Sequence, residues 1–445
     1  MLIRFIVENF LCFNDEAEFS MVAAKGRILK DHVLSGKNPR DVNLLRTAVI
    51  YGANASGKSN LIKSMEFARS LIVKGTPAGE QIPVTKFKLD LKAAKKPSKF
   101  QFEFKCNGKV YSYGFALDAD CIHEEWLYDK STIKEKLLFE RKSVVGQKTQ
   151  VTFGKLNFKE TNDEQLLKFT GLGTRPEQLF LTETFQRNTG YFLDVYEWFQ
   201  KKLIFIFPES IFQGIEFVLK RNENVSNEFK KYLLMFDTGI SDVITHEYDL
   251  EKDRTNIHKD IITNIEKDLK NKGDVALLRS SDKERYALYR NGTEQIKALK
   301  LLSKHKIKGT NKEEAFEINE ESEGTQRLID IIPALMTLQG MEAVIIIDEI
   351  DRRLHPQITK KYLEIFLDFK QKSQLIVTTH ETSLLDLKLL RKDEIWFVEK
   401  NKDGESSVYS LEEYKPRYDK DIRKGYLLGR FGAIPFLRGK KGLGW

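Results

Sequence analysis

Gly52-Ala-Asn-Ala-Ser-Gly-Lys58-Ser59 follows the apolar run Ala48-Val-Ile-Tyr51 and precedes Leu61-Ile62-Lys63-Ser64-Met65. The stretch is a complete GxxxxGK(S/T) pattern set between an expected strand and an expected helix. Its two glycines let the backbone curl until the N–H groups point inward at phosphate oxygens. Lys58 can then reach the β and γ oxygens, and the Ser59 hydroxyl can ligate Mg²⁺. Leu61, Met65, Ala68 and Ile72 recur at helical spacing, so the loop opens a helix whose N-terminus faces the phosphates. The pattern predicts an α/β fold that binds a nucleoside triphosphate, with Gly52, Asn54, Gly57, Lys58, Ser59 and Asn60 around the ligand.

Before this loop, Leu2 to Phe10 and Glu16 to Met21 read as strands. After it, Phe100, Phe102 and Phe104 alternate with Gln101, Glu103 and Lys105. Asn107-Gly108 separates that run from Val110-Tyr-Ser-Tyr-Gly-Phe115, which is a β-hairpin signal. Further along, Tyr191 to Phe207 and Glu228 to Ile244 read as helical, and Ile257, Ile261, Ile265 and Leu269 recur every four residues. Residues 151–310 are therefore expected to form a mainly helical insertion. Its periodic stretch is too short for a sustained coiled-coil arm. It separates an N-terminal lobe, 1–150, from a C-terminal lobe, 311–400, with an extension over 401–445.

A chain of 445 residues can build two or three cores. Cys12, Cys106 and Cys121 are too widely spaced for a CxxC pair or a disulfide framework, which fits a reducing cytoplasm and offers no cysteine metal site. Met1 to Glu8 lacks a signal-peptide layout, and no apolar run approaches the roughly 20 residues of a membrane helix. The expectation is a cytoplasmic protein without a membrane partner. The formal charge of +8 comes from 73 basic against 65 acidic residues, so it describes a mixed solvated surface and does not by itself indicate DNA.

Three further patterns carry chemistry. Ala343-Val-Ile-Ile-Ile-Asp348-Glu349 is an apolar run ending in two acids. As a buried parallel strand it would set Asp348 beside Ser59 and Mg²⁺ and leave Glu349 to polarise an attacking water. Ser322-Glu-Gly324-Thr-Gln326-Arg327 begins a helical pattern, where a serine hydroxyl and a glycine N–H make an anion site, although an ordinary serine N-cap reads the same way. His380 follows the strand-like Gln374-Leu-Ile-Val-Thr-Thr379; a lone histidine there is usually structural.

In this order, phosphate loop, SxGxQ at a helix start, acid pair and strand-end histidine, the set resembles the ABC-type ATPase head, the family of transporter heads, SMC proteins and RecF. The resemblance covers about residues 1–130 and 310–400. It implies a P-loop NTPase of ABC type with an antiparallel β subdomain and an inserted helical lobe, binding ATP and Mg²⁺. It further implies that Lys58 and Ser59 bind phosphate and metal, Asp348 holds Mg²⁺, Glu349 is the general base and His380 holds the γ-phosphate. Ser322 and Gly324 would contact ATP held by the opposite subunit, with Asp351 at that interface, so a homodimer or higher homo-oligomer is implied. Glu321 and Glu323 depart from the family's LSGGQ, and no residue matches its Q-loop glutamine by pattern; Gln81 is one option, and an ordinary surface polar residue reads the same way.

Gly324-Thr-Gln-Arg327, Asp348-Glu-Ile-Asp-Arg-Arg-Leu-His-Pro356, Thr379-His-Glu-Thr-Ser-Leu-Leu385 and Gly425-Tyr-Leu-Leu-Gly-Arg-Phe-Gly-Ala-Ile-Pro435 resemble the bacterial AbiL/RloA group of ATP-binding proteins. That likeness implies a role in abortive infection and phage defence beside an operon-encoded effector such as a nuclease, with a phage protein as trigger. The alternative is a RecF-like ATPase that clamps DNA; the basic stretch Arg423 to Lys441 could contact nucleic acid or the partner, and an ordinary charged extension reads the same way. A self-contained nuclease is disfavoured, because no second acid cluster with a metal-site layout stands outside the ATPase set.

Overall fold

The computed structural model describes residues 1–26, 28–36, 41–143, 149–156, 158, 162–212, 214–249, 275–279, 285–290, 296–414 and 421–434. The chain divides into two compact units. The first comprises Met1–Pro208, Leu338–Asp351 and Tyr362–Trp445, and the second Glu209–Thr337 and Arg352–Lys361. Among the described residues the helices, in chain order, are α1 (Lys58–Lys74), α2 (Asp163–Gly173), α3 (Phe180–Gln186), α4 (Leu193–Glu197), α5 (Ile215–Arg221), α6 (Glu223–Met235), α7 (Glu323–Gly340), α8 (Pro356–Leu367) and α9 (Ile422–Leu427). Among these helices none is long and apolar enough to cross a membrane.

In the first unit, seven strands form an antiparallel sheet in the order β10 (Gln150–Phe153), β9 (Lys136–Lys142), β8 (Ile122–Asp129), β7 (Lys109–Leu117), β6 (Ser98–Cys106), β1 (Leu2–Glu8) and β2 (Ala17–Ser20). The expected hairpin is β6–β7. Asn107 and Gly108 take φ of 49° and 79°, the left-handed pair that suits a two-residue turn between twisted strands. Phe100, Phe102 and Phe104 all point into the core, where Phe104 stacks on Trp198 at 4.1 Å and Phe102 meets Phe199 edge-on at 5.1 Å. Each buried ring contributes about 1.5–3 kcal/mol.

Those rings correct one expectation. Tyr191 to Phe207 is not one helix: α4 passes into a π-turn over Trp198–Lys202 that sets two adjacent aromatics against the phenylalanine face, and the chain continues as β11 (Leu203–Ile206). Leu203-Ile-Phe-Ile206 is short and apolar, and local periodicity does not distinguish a helix from a strand there. Its partner, Val344–Ile347, lies far along the chain and decides the matter.

A buried ion pair holds the next segment on this sheet. Glu125, fully buried, accepts the amides of Phe180 and Leu181 at 2.6 and 2.9 Å and so caps α3. Arg141, also fully buried, lies 3.4 Å from Glu125 and donates to the carbonyls of Arg175, Pro176 and Gln178.

The second sheet of the first unit runs β11, β17 (Val344–Ile347), β18 (Gln374–Thr378), β5 (Thr47–Tyr51), β19 (Ile395–Lys400) and β20 (Ser406–Ser410). It is parallel except for β20. A ribbon of β3 (Val33–Leu34) and β4 (Leu44–Leu45) completes the unit's strands among the described residues. β5, β17 and β18 are buried along their whole length, which explains their unbroken apolar runs. β18 lies between β5 and β17. The registers pair Ile347 with Val377 and Thr378 with Ile50, so Asp348, Thr378 and the phosphate loop leave the sheet side by side. Gln374 ties the two sheets together: its Oε1 accepts the Leu2 amide at 2.7 Å, and its Nε2 donates to the Leu2 and Leu45 carbonyls.

The second unit contains an antiparallel sheet ordered β12 (Asp242–Asp249), β15 (Ile296–Lys306), β14 (Arg285–Arg290) and β13 (Val275–Arg279), with β16 (Glu313–Glu317) on β15. The mainly helical insertion is therefore mixed α/β among its described residues. The helix expected from Glu228 to Ile244 ends at Met235 and gives way to β12. The lysines of β15 pair with acids of its neighbouring strands: Lys297 with Glu247 on β12, and Lys300 with Glu317 and Lys304 with Glu313 on β16. The Ile257 to Leu269 repeat lies outside the described residues.

Candidate functional site

The chain leaves β5 through a tightly constrained loop. A Cβ on Gly52 would stand 2.4 Å from the Val398 carbonyl, and one on Gly57, where φ is 117°, would stand 2.7 and 2.8 Å from Ser406 Oγ and Cys12 Sγ. Ser406 also donates to the Ser56 carbonyl at 2.6 Å, so β20 braces the loop from behind. Ala55 takes φ of 61°, a left-handed conformation without the freedom of glycine. Lys58 Nζ donates to the carbonyls of Gly52 and Ala53 at 2.8 and 3.2 Å. Burial lowers its pKa to about 8, against the opposing pull of Asp348, Asp351 and Glu349.

The loop floors a cavity of about 390 Å³ lined by Asn54 to Asn60, Glu349, His380 and Lys400. Ser59 Oγ donates to Asp348 Oδ1 at 3.2 Å, bringing together residues from α1 and the end of β17. The same carboxylate oxygen accepts the Thr378 hydroxyl at 2.5 Å. Thr378 Oγ1 in turn accepts the Glu349 amide at 2.7 Å, and Glu349 sits at φ 49°. Asp351 Oδ2 accepts the His380 amide at 3.2 Å, while its buried Oδ1 has no hydrogen-bond partner among the described residues. Burial first, and then Lys58, lower the His380 pKa, so the imidazole is neutral at physiological pH.

Hard oxygen donors from one hydroxyl and one carboxylate fit Mg²⁺, which takes few protein ligands and keeps the rest of its shell for phosphate and water. Among the described residues no group of three or more His, Cys, Asp or Glu offers a dedicated metal cage. Ser59 and Asp348 therefore suit a cation that arrives with a nucleotide.

The first unit thus assembles Gly52, Asn54, Gly57, Lys58, Ser59, Asn60, Asp348, Glu349, Asp351 and His380. Ser322 and Gly324 belong to the second unit. There Ser322 Oγ accepts the Thr325 amide at 3.1 Å as the cap of α7. A Cβ on Gly324 would stand 2.9 Å from the Arg353 carbonyl, so only glycine admits that approach. Gln81 takes the surface-polar role: it donates to Asp120 at 2.7 Å on an exposed surface and is not among the residues that line the cavity. Thr378, Lys400 and Ser406 were missed. The Thr378-Thr379 pair ending an apolar strand was the one available signal, whereas Lys400 and Ser406 become neighbours of the loop only through the β5–β19–β20 pairing.

A family model described as "AAA domain, putative AbiEii toxin, Type IV TA system" matches residues 48–386. No curated protein matches the chain. Among solved structures it is similar to an SMC head domain from Thermotoga maritima, with 11% identity over 92% of this chain and 98% of that one and a TM-score of 0.38. It is similar too to an SMC head bound to the C-winged helix domain of ScpA, with 12% identity, 93% and 99% coverage and a TM-score of 0.39. A third is an Smc head with an extended coiled coil bound to the C-terminal domain of ScpA derived from Pyrococcus furiosus, with 12% identity, 93% and 97% coverage and a TM-score of 0.37.

Proposed function

Because the chain belongs to the AAA-domain family whose model spans residues 48–386, we propose that it binds ATP with Mg²⁺ at the head of the parallel sheet and hydrolyses it. One observation carries the reading: the Ser59 hydroxyl meets Asp348 at 3.2 Å beside a cavity walled by Lys58, Glu349 and His380. The loop amides and Lys58 bind the phosphates, and Ser59 and Asp348 would hold Mg²⁺, which supplies charge neutralisation when bound. Glu349 orients the attacking water and takes its proton, and His380 offers an N–H to the γ-phosphate.

In this reading Ser322 and Gly324 of a second copy, presented at a helix start, complete the site, so ATP closes a homodimer around two nucleotides. Asp351, at the mouth of the acid pair, belongs to the same interface. The dimer serves as sensor and gate of a phage-defence module, holding a separate effector until a phage protein arrives. The family description, which names a type IV toxin–antitoxin system, and the resemblance of Asp348 to Pro356 and Thr379 to Leu385 to the AbiL/RloA group support this biology. The DNA-clamping alternative draws no support from β15, whose Lys297, Lys300 and Lys304 are paired with acids.

The test is Glu349→Gln, assayed for phosphate release and for mass in solution. We expect turnover to fall by about 10²–10⁴-fold and an ATP-bound dimer to accumulate. Unchanged turnover removes the assignment of the base, and a monomer at saturating ATP removes the gate. Purification with the neighbouring gene product, followed by ATP or phage lysate, tests whether an effector is held and released.

A further inference from the structure

Thr378 ends a fully buried strand directly after the apolar run Leu375-Ile-Val377, where valine would fill the same volume without a hydroxyl to satisfy. That hydroxyl is used twice. It donates to Asp348 Oδ1 at 2.5 Å and accepts the Glu349 amide at 2.7 Å, while the Thr378 carbonyl accepts the Ile350 amide at 3.1 Å. One residue of β18 therefore grips three successive residues of the neighbouring chain. The grip falls where the backbone needs it, because Glu349 stands at φ 49°, a left-handed conformation that side-chain-bearing residues rarely hold without support. Ser59 donates to the same Asp348 oxygen, so the carboxylate is held jointly by α1 and β18.

We propose that Thr378 is a positioning residue that couples the two acids. Its hydroxyl locks the Asp348 carboxylate toward Ser59 and fixes the peptide that aims Glu349, so metal ligation and base placement are held as one unit. The inference rests on the nucleotide and Mg²⁺ reading of this site. The rival role is plain strand packing, which a side chain of equal volume would satisfy.

Thr378→Val and Thr378→Ser separate the two roles. A fluorescent ADP analogue is titrated with Mg²⁺ and with EDTA, and phosphate release from ATP is measured alongside. In T378V the Mg²⁺-dependent gain in affinity and kcat should each fall by about 10–100-fold, the range for losing a group that orients a metal ligand. Affinity in EDTA should stay within about twofold, and T378S should retain both properties. If T378V keeps the Mg²⁺-dependent gain and the turnover, or if T378S loses as much as T378V, the proposal falls. Should the valine variant fail to fold, T378C removes the strong donor at similar volume and carries the same expectations. A wild-type chain that shows the Mg²⁺-dependent gain but no hydrolysis sinks the ATPase reading alone, and T378V then still decides the coupling. A wild-type chain that binds no nucleotide in either buffer overturns both.

Discussion

The two units use the same charged residues to different ends. In the first, Lys58, Asp348, Glu349 and His380 gather at the ends of parallel strands, where burial lowers the Lys58 pKa to about 8 and also lowers that of His380. In the second, Lys220, Lys297 and Tyr289 surround Glu247 on a partly exposed sheet face, and their hydrogen bonds, Lys220 first, hold its pKa at about 2. Both settings perturb titration, yet they differ in cause. Desolvation at the strand ends sets the first two shifts, whereas hydrogen bonds between oppositely charged groups set the third.

The sharpest test of how burial and screening differ between the units removes one paired acid from each: Glu125 of the buried Glu125–Arg141 pair and Glu247 of the partly exposed cluster. Glu125→Ala leaves Arg141 buried and uncompensated and uncaps α3, so it should cost about 3–5 kcal/mol. Glu247→Ala should cost less than about 1 kcal/mol, because water screens that cluster. Denaturant unfolding followed by Trp126, Trp198 and Trp396, all in the first unit, reads the former, and backbone circular dichroism reads both. Equal losses would end the distinction between buried and screened pairs.

A smaller effect sharpens it through pH. The free Lys58 loses its proton near pH 8, whereas phosphates favour the charged form, so the bound pKa is higher. Below pH 8 this group leaves nucleotide affinity level; above it, binding must take up a proton and affinity should fall by up to about tenfold per unit. Calorimetric titration of nucleotide across pH 7–10 measures the slope. Lys58→Arg, which stays charged, should flatten it, and an identical slope in that variant would assign the proton elsewhere.

The smallest effect concerns strain in the phosphate loop. Ala55→Gly relieves a left-handed alanine worth about 1 kcal/mol and returns about 0.4–1 kcal/mol of unfolded-state entropy, so the net gain should be about 0.5 kcal/mol or less. Thermal melting should shift by no more than about 2 °C. A large loss would show that Cβ of Ala55 packs in a way its exposure does not suggest.

Much of the site was legible because its residues are adjacent in sequence or end apolar runs. The phosphate loop announces itself locally, the Asp348–Glu349 pair and His380 gain their meaning from their order after it, and the shared origin of all three at strand ends follows from the parallel pairing of β5, β17 and β18. The Phe100 to Phe104 alternation and Asn107-Gly108 likewise announced the hairpin. The errors lie where a partner distant in sequence decides. Leu203–Ile206 is a strand because β17 pairs with it, and Ile296–Lys306 is a strand because β12, β14 and β16 pair with it.

Sequence alone determined that this chain carries a triphosphate loop opening a helix, since GxxxxGK(S/T) encodes its own geometry through glycine's freedom and short-range spacing. It also determined an acid pair at the end of a buried strand. Only the tertiary structure decided that β18 lies between those strands, that Thr378 joins both acids, and that Ser406 and Lys400 adjoin the loop. Those relations depend on strand order and register, which arise from contacts between segments hundreds of residues apart, and no local pattern encodes them.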